Sequence, residues 1–127
     1  MLFRSRPYYE KVSPSIPPAP FVGVDHIVRE GDRLPWRTPD AVVIEVPGHT
    51  GGSVAIHLPH ERVLFTGDNV GSIGLRPVLG PFNVSRDDAI GSFRRLAETD
   101  VDIACFGHGD PVVGDATNVL RRAASRL

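Results

Sequence analysis

Apolar residues along this chain come in short runs that stop at glycine or proline. Residues 21–28 alternate loosely and end at Glu30-Gly31-Asp32. Residues 41–46 are β-branched and end at Pro47-Gly48. Residues 53–58 set Val54, Ile56 and Leu58 on one side; Pro59-His60-Glu61 turns the chain, and Val63-Leu64-Phe65 resumes it. Runs of this length and alternation predict strands, and the last two predict a hairpin. The period changes after residue 84. Ser85 is placed to cap a helix, Asp87 and Asp88 suit its positive end, and Ala89, Ile90, Phe93, Leu96 and Ala97 share one face. A short buried strand is expected over 101–106. A last helix is expected from about Asp115, with Val119, Leu120, Ala123 and Leu127 inward. Residues 69–84, rich in glycine and proline, read as a long loop of the kind that often carries function. Residues 1–20 read as an irregular arm, because Pro7, Pro14, Pro17, Pro18 and Pro20 favour extended structure. No internal repeat is visible.

Bulk properties narrow the function classes. At 127 residues the chain is sized for one domain, expected over 21–127, and 41% hydrophobic with 23% charged residues is ordinary for a globular protein. A net charge of −1 gives no field to recruit nucleic acid or an anionic membrane. No apolar stretch approaches the roughly 20 residues of a membrane span, and residues 1–9 lack the apolar centre of a signal peptide, so a cytoplasmic location is expected. Cys105 is the only cysteine, which leaves no intrachain disulfide, and its apolar setting predicts a buried thiol rather than a nucleophile. Arg94-Arg95 and Arg121-Arg122 read as solvated helix faces. Trp36 could pack under the sheet or line an opening.

The candidate chemistry lies where three strand-like runs end. Pro47-Gly48-His49-Thr50-Gly51-Gly52-Ser53, Phe65-Thr66-Gly67-Asp68 and Gly107-His108-Gly109 each place one metal-ligand residue type beside glycine. His49, Asp68 and His108 form a set that zinc or a similar transition metal accepts. Glycine permits tight turns beside each ligand, and Thr50 and Ser53 can satisfy backbone groups after His49. Separations of 19 and 40 residues are too long for a zinc finger and suit a site assembled from several strands. The alternative is three strand-end residues that cap turns and bind nothing. His57 and His60 flank a turn and read as surface residues. The glycines of 67–74 lack the Lys-Ser/Thr of a phosphate loop, and neither Ser53 nor Ser72 has a triad context.

In order and spacing, these three motifs resemble the second half of the metallo-β-lactamase fold superfamily, over about residues 22–127. The resemblance implies an α/β (α+β) fold, namely half of an αββα sandwich, a mixed β-sheet with two helices on one face. It implies that His49 binds a first metal, Asp68 bridges two metals and His108 binds the second. The cofactor would be zinc, iron or manganese, up to two ions in a complete site. The implied reaction is attack of metal-bound hydroxide on an ester, thioester or lactone of a small-molecule substrate, with residues 69–84 bordering it.

One departure qualifies this. The family's first-half motif, His-x-His-x-Asp-His, supplies the remaining ligands and is not recognisable. The nearest string ends in Asp25-His26. A chance pair in a strand is the preferred reading over a degenerate copy of the motif, because residues 24–34 resemble the strand and turn preceding the His49 segment. The chain therefore reads as a C-terminal half whose first half would lie upstream of Met1. No catalytic residue beyond the ligands is assigned. A homodimer or a complementing half-domain would supply what each metal position lacks. The competing expectation is a non-catalytic fragment acting as a binding or oligomerisation module.

Overall fold

A computed structural model describes residues 13–15, 17–18, 20–35 and 41–127. Trp36 and most of the proline-rich arm lie outside the described residues. Five strands form one mixed sheet in the order β1-β2-β3-β6-β7: β1 Val42–Glu45, β2 Val54–Leu58, β3 Val63–Phe65, β6 Ile103–Cys105 and β7 Val112–Val113. The pairings are antiparallel except β3 with β6, which is parallel. A separate hairpin pairs β4, Val70–Ile73, with β5, Arg76–Leu79. Two helices complete the fold, α1 Arg86–Leu96 and α2 Ala116–Ala124.

Strand alternation decides which face carries the core. Register partners share a face, which puts Ile44, Ala55, Leu64, Ala104 and Val112 on one side. Those residues meet Phe93 and Leu96 of α1 and Leu120 and Ala124 of α2 in a single cluster, so both helices cover the same face. Phe93, Leu64, Leu96 and Leu120 are fully buried, and each contributes about 1.5–3 kcal/mol by leaving water. The opposite face carries Ile56, Val63, Phe65, Ile103, Cys105 and Val113. Phe65 is 42% and Val113 73% exposed and the other four are half-buried, while Val43, on the same side at the β1 border, is fully buried. Cys105 is half-buried rather than buried as expected, and the burial it has pushes its thiol pKa up, away from the thiolate a nucleophile needs.

Helix α1 starts as its sequence requires. Ser85 is extended at φ −128° and its hydroxyl accepts the Asp88 N–H. α2 starts differently: Asp115 is left-handed at φ 54° and makes no cap bond of its own, and its carboxylate accepts from Asn118 instead. Thr117 ties this helix to the start of the β6 segment, accepting from the Val101 N–H and donating to the Thr99 and Val101 carbonyls.

Three expectations are corrected. Residues 69–84 are not a structureless loop, since β4 and β5 occupy half of them. The hairpin turns at Gly74 and Leu75, both at positive φ (56° and 62°), the geometry that a two-residue type I′ turn requires. Residues 21–28 form no strand. They run irregular and largely exposed, with Phe21 96% exposed, because among the described residues no neighbouring strand accepts their backbone groups. The sheet is extended instead by residues 31–34, where Gly31 and Leu34 donate to the Val43 and Ala41 carbonyls and Val43 donates to Asp32. Finally, His57 is not a plain surface residue. It lies on the helix-facing side of β2, and its Nε2 is buried with no hydrogen-bond partner.

Away from the strand ends that carry the candidate ligands, Arg62 clips β3 to β6. Its guanidinium donates to Asp100 at 2.7 and 2.8 Å and to Asp102 at 2.9 and 3.1 Å, while its carbonyl accepts from Asp102 and Ile103. The Arg62 hydrogen bonds hold the Asp100 pKa below its usual value.

Two stability predictions follow from this packing. Phe93→Ala should cost about 3–5 kcal/mol in denaturant unfolding. His57 contributes a pH dependence: burial lowers its pKa, so the unfolded chain binds the proton more readily than the folded one. Its contribution to stability is full above the unfolded pKa of about 6.5 and is lost as pH falls through the lower folded value. Unfolding midpoints measured between about pH 7.5 and 5 should fall less steeply for His57→Gln than for the native chain.

Candidate metal centre

The register of one strand pair builds the core of the site. Phe65 of β3 lies opposite Cys105 of β6, and the two strands run the same way. Asp68 and His108 each follow three residues later, so parallel pairing delivers both to the same edge of the sheet. The exit is held by three contacts: the Thr66 N–H donates to the Cys105 carbonyl at 2.9 Å, the Gly107 N–H to the Gly67 carbonyl at 3.0 Å, and the buried Thr66 hydroxyl faces the Val70, Cys105 and Gly67 carbonyls. β4 then holds the far side, as the Ser72 N–H donates to the His108 carbonyl at 2.8 Å.

His49 arrives from the turn between β1 and β2. Thr50 and Ser53 satisfy that turn as expected, with the Thr50 N–H donating to the Ser53 hydroxyl at 3.1 Å and the two hydroxyls 2.9 Å apart. Gly48, at φ 142°, presses against α1 so closely that a Cβ would fall 2.3 Å from the Ala89 backbone. The Gly48 and His49 carbonyls accept the Ser85 and Val84 N–H groups, locking the turn to the start of α1. Asn69 adds a second tie, its amide donating to the Ala89 carbonyl at 3.2 Å.

The three candidate ligands come together around the Asp68 carboxylate. His49 Nε2 lies 3.6 Å from Asp68 Oδ2, and His108 Nε2 lies 3.4 Å from Asp68 Oδ1. One carboxylate therefore presents a different oxygen to each imidazole. Among the described residues no three such side chains converge on a single metal position, so the trio resolves into two pairs that share Asp68. The spacing fits metal ligation. Bonds of about 2.0–2.2 Å from one ion at tetrahedral angles put their ligand atoms about 3.3–3.6 Å apart.

The hydrogen bonding fits as well. His49 Nδ1 sits 3.2 Å from the Pro81 carbonyl, which can only accept, so Nδ1 carries the proton. In the neutral imidazole Nε2 is then a lone pair facing a carboxylate oxygen, an arrangement that a cation between them stabilises. A carbonyl that fixes the tautomer of a histidine is the usual support for an imidazole ligand. Zinc, iron and manganese all accept this donor set.

Other candidates stay outside. Asp25 and His26 lie in the exposed 21–28 segment and His60 in the exposed turn after β2. The supporting groups that sequence reading did not single out are Thr66, the Pro81 carbonyl and Gly107. Thr66 and Gly107 were inside the quoted motifs. Pro81 carried no signal, because only its backbone takes part.

The sequence of residues 2–108 matches the family described as the metallo-beta-lactamase superfamily. The chain belongs to that superfamily. Among curated relatives it is similar to hydroxyacylglutathione hydrolase of Fuscovulum blasticum, 49% identical over 51 residues, which is 40% of this chain and 20% of that protein. It is also similar to hydroxyacylglutathione hydrolase of Rhizobium meliloti (strain 1021), 37% identical over 87 residues, 68% of this chain and 33% of that protein. The chain thus spans a fifth to a third of the length of these relatives. Among solved structures, TTHA1623 in a di-iron-bound form superposes with a TM-score of 0.68 at 24% identity, over 96% of this chain and 61% of that one, which shows a shared fold. The superfamily fold and the α/β class inferred from sequence are those observed. Among the described residues no helix is long and apolar enough to cross a membrane.

Two variants probe this construction. Asp68→Asn should leave the fold intact, since the side chain is 41% exposed, and abolish transition-metal binding read by equilibrium dialysis. Gly48→Ala should destabilise by about 1–3 kcal/mol in urea unfolding, through overpacking against α1.

Proposed function

We propose that this chain carries the C-terminal half of a metal-dependent hydrolase site, with His49, Asp68 and His108 as its metal ligands. The observation that carries the reading is the Asp68 carboxylate, which turns one oxygen to each imidazole as a bridging ligand would. His49 would hold one position through Nε2, oriented by the Pro81 carbonyl, and His108 the other. When bound, such ions supply Lewis acidity toward a carbonyl oxygen and lower the pKa of a water toward about 7. Zinc, iron and manganese are the candidate metals.

The substrate class proposed is a thioester of the hydroxyacyl-glutathione kind. The relatives that carry that activity in their names support it. Each metal position receives two protein ligands from the described residues, fewer than catalytic zinc sites commonly have. The remaining ligands would come from a complementing half-domain or a second copy. Residues 21–127 are proposed as the domain and 1–20 as an arm beside it, with a cytoplasmic location.

A second reading is favoured by the same shortage of ligands and by the half-exposed apolar face of the sheet: a non-catalytic module that binds or oligomerises. Metal binding and thiol release separate the two. The purified chain should take up zinc, iron or manganese, and should release thiol from a hydroxyacyl-glutathione thioester in a reaction abolished by His49→Ala. Metal uptake without thiol release, even at high chain concentration and with a complementing half-domain added, would leave the binding module. No uptake even in excess ion would sink the metal-site proposal altogether.

A further inference from the structure

The glycines around the site are not equivalent. Gly48, Gly67 and Gly109 adopt positive φ (142°, 59° and 90°), so their backbones themselves favour glycine. A Cβ at Gly48 or Gly109 would also strike backbone atoms, Ala89 at 2.3 Å and the Ser72 carbonyl oxygen at 2.0 Å. Gly107 differs in its backbone and in the atom a Cβ would meet first. Its φ is not in the left-handed region, and it is exposed, so an ordinary residue could adopt its backbone. What a Cβ there would meet first is a ligand atom: Asp68 Oδ1 at 1.8 Å, then Asp68 Cγ at 2.9 Å and Cα at 3.0 Å.

Oδ1 is the oxygen that faces His108 Nε2. It is also the free end of a side chain, which can swing aside at little cost to the fold and at a large cost to ligand geometry. We infer that Gly107 is a positioning residue for the bridging carboxylate: its missing side chain is the seat in which Asp68 Oδ1 stands opposite His108. The Gly107 N–H, bonded to the Gly67 carbonyl, fixes that seat against the same turn that carries Asp68. The inference rests on the metal-ligand reading of the trio and adds to it the residue that decides where the shared oxygen sits. A side chain at 107 displaces Oδ1 first, so the loss falls mainly on the position shared with His108.

The test uses the full chain, labelled with nitrogen-15, and follows the imidazole Nε2 signals of His49 and His108 during a Zn2+ titration. In the native chain both signals should move. In Gly107→Ala the Zn2+ concentration for half-response at His108 should rise about 10–100-fold, and by less at His49. A response at His108 unchanged from native, or equal losses at both histidines, overturns the inference. Thermal midpoints of the metal-free chain give a second reading that survives a poorly folding variant. Most of the loss caused by Gly107→Ala should disappear in an Asp68→Ala background, where the displaced carboxylate is absent; a loss that persists there shows a backbone clash and overturns the inference. If neither imidazole of the native chain responds to Zn2+, the metal-ligand reading itself fails and the role of Gly107 fails with it.

Discussion

The parallel pairing of β3 with β6 is the constraint on which the rest depends. Two antiparallel neighbours would send their carboxyl ends in opposite directions, whereas this pair sends both the same way. The equal three-residue offsets from Phe65 to Asp68 and from Cys105 to His108 then place a carboxylate beside an imidazole without any long-range adjustment. Parallel neighbours need a crossover, and the chain between them provides it with the β4-β5 hairpin and α1. That crossover does more than return the chain. β4 accommodates the His108 carbonyl, the segment after β5 presents the Pro81 carbonyl to His49, and the start of α1 locks the His49 turn. The pair is secured at both ends, by Arg62 with its two aspartates at one and by Thr66 at the other.

The legible part of the fold was the part whose signals are local. Ala89, Phe93 and Leu96 announce α1 by their spacing, and Ser85 marks its start. The candidate ligands stood out because each ends an apolar run beside glycine. The β4-β5 hairpin was not, because Gly71, Gly74 and Pro77 break any alternation and Leu75 occupies a left-handed turn position where asparagine or glycine would be the signal. β7, two residues long, is too short to show a period. Residues 21–28 mislead in the opposite direction. Alternation marks a strand only if a neighbour exists to pair with, and the neighbour of β1 turned out to be residues 31–34. Within the candidate site, the pairwise placing of His49 and His108 about Asp68 depends on side-chain geometry that spacing cannot convey.

The two faces of the sheet stand in different energetic positions. The helix-facing side holds the fully buried core, and Ser92 and Thr117 on the helices direct their hydroxyls to nearby carbonyls rather than leaving them unpaired. Beyond the buried Val43, the other side keeps valine, isoleucine, phenylalanine and cysteine side chains only half out of water. A sheet with one dry and one damp apolar face has a core on one side and unrealised burial on the other. The candidate ligands show the same one-sidedness, held by β4, by the segment after β5 and by the start of α1.

The borders of the sheet carry a further consequence. β1 is flanked by the irregular run 31–34, which already uses backbone groups of Ala41 and Val43, and β7 at the other border is only two residues long. Neither offers the long, flat row of free amides and carbonyls on which another chain could add a strand. Any lasting association at this sheet would thus be a stacking of layers, governed by side-chain shape, rather than a continuation of the hydrogen-bond ladder. That gives the exposed apolar surface a protection against runaway fibre growth that its composition alone would not suggest.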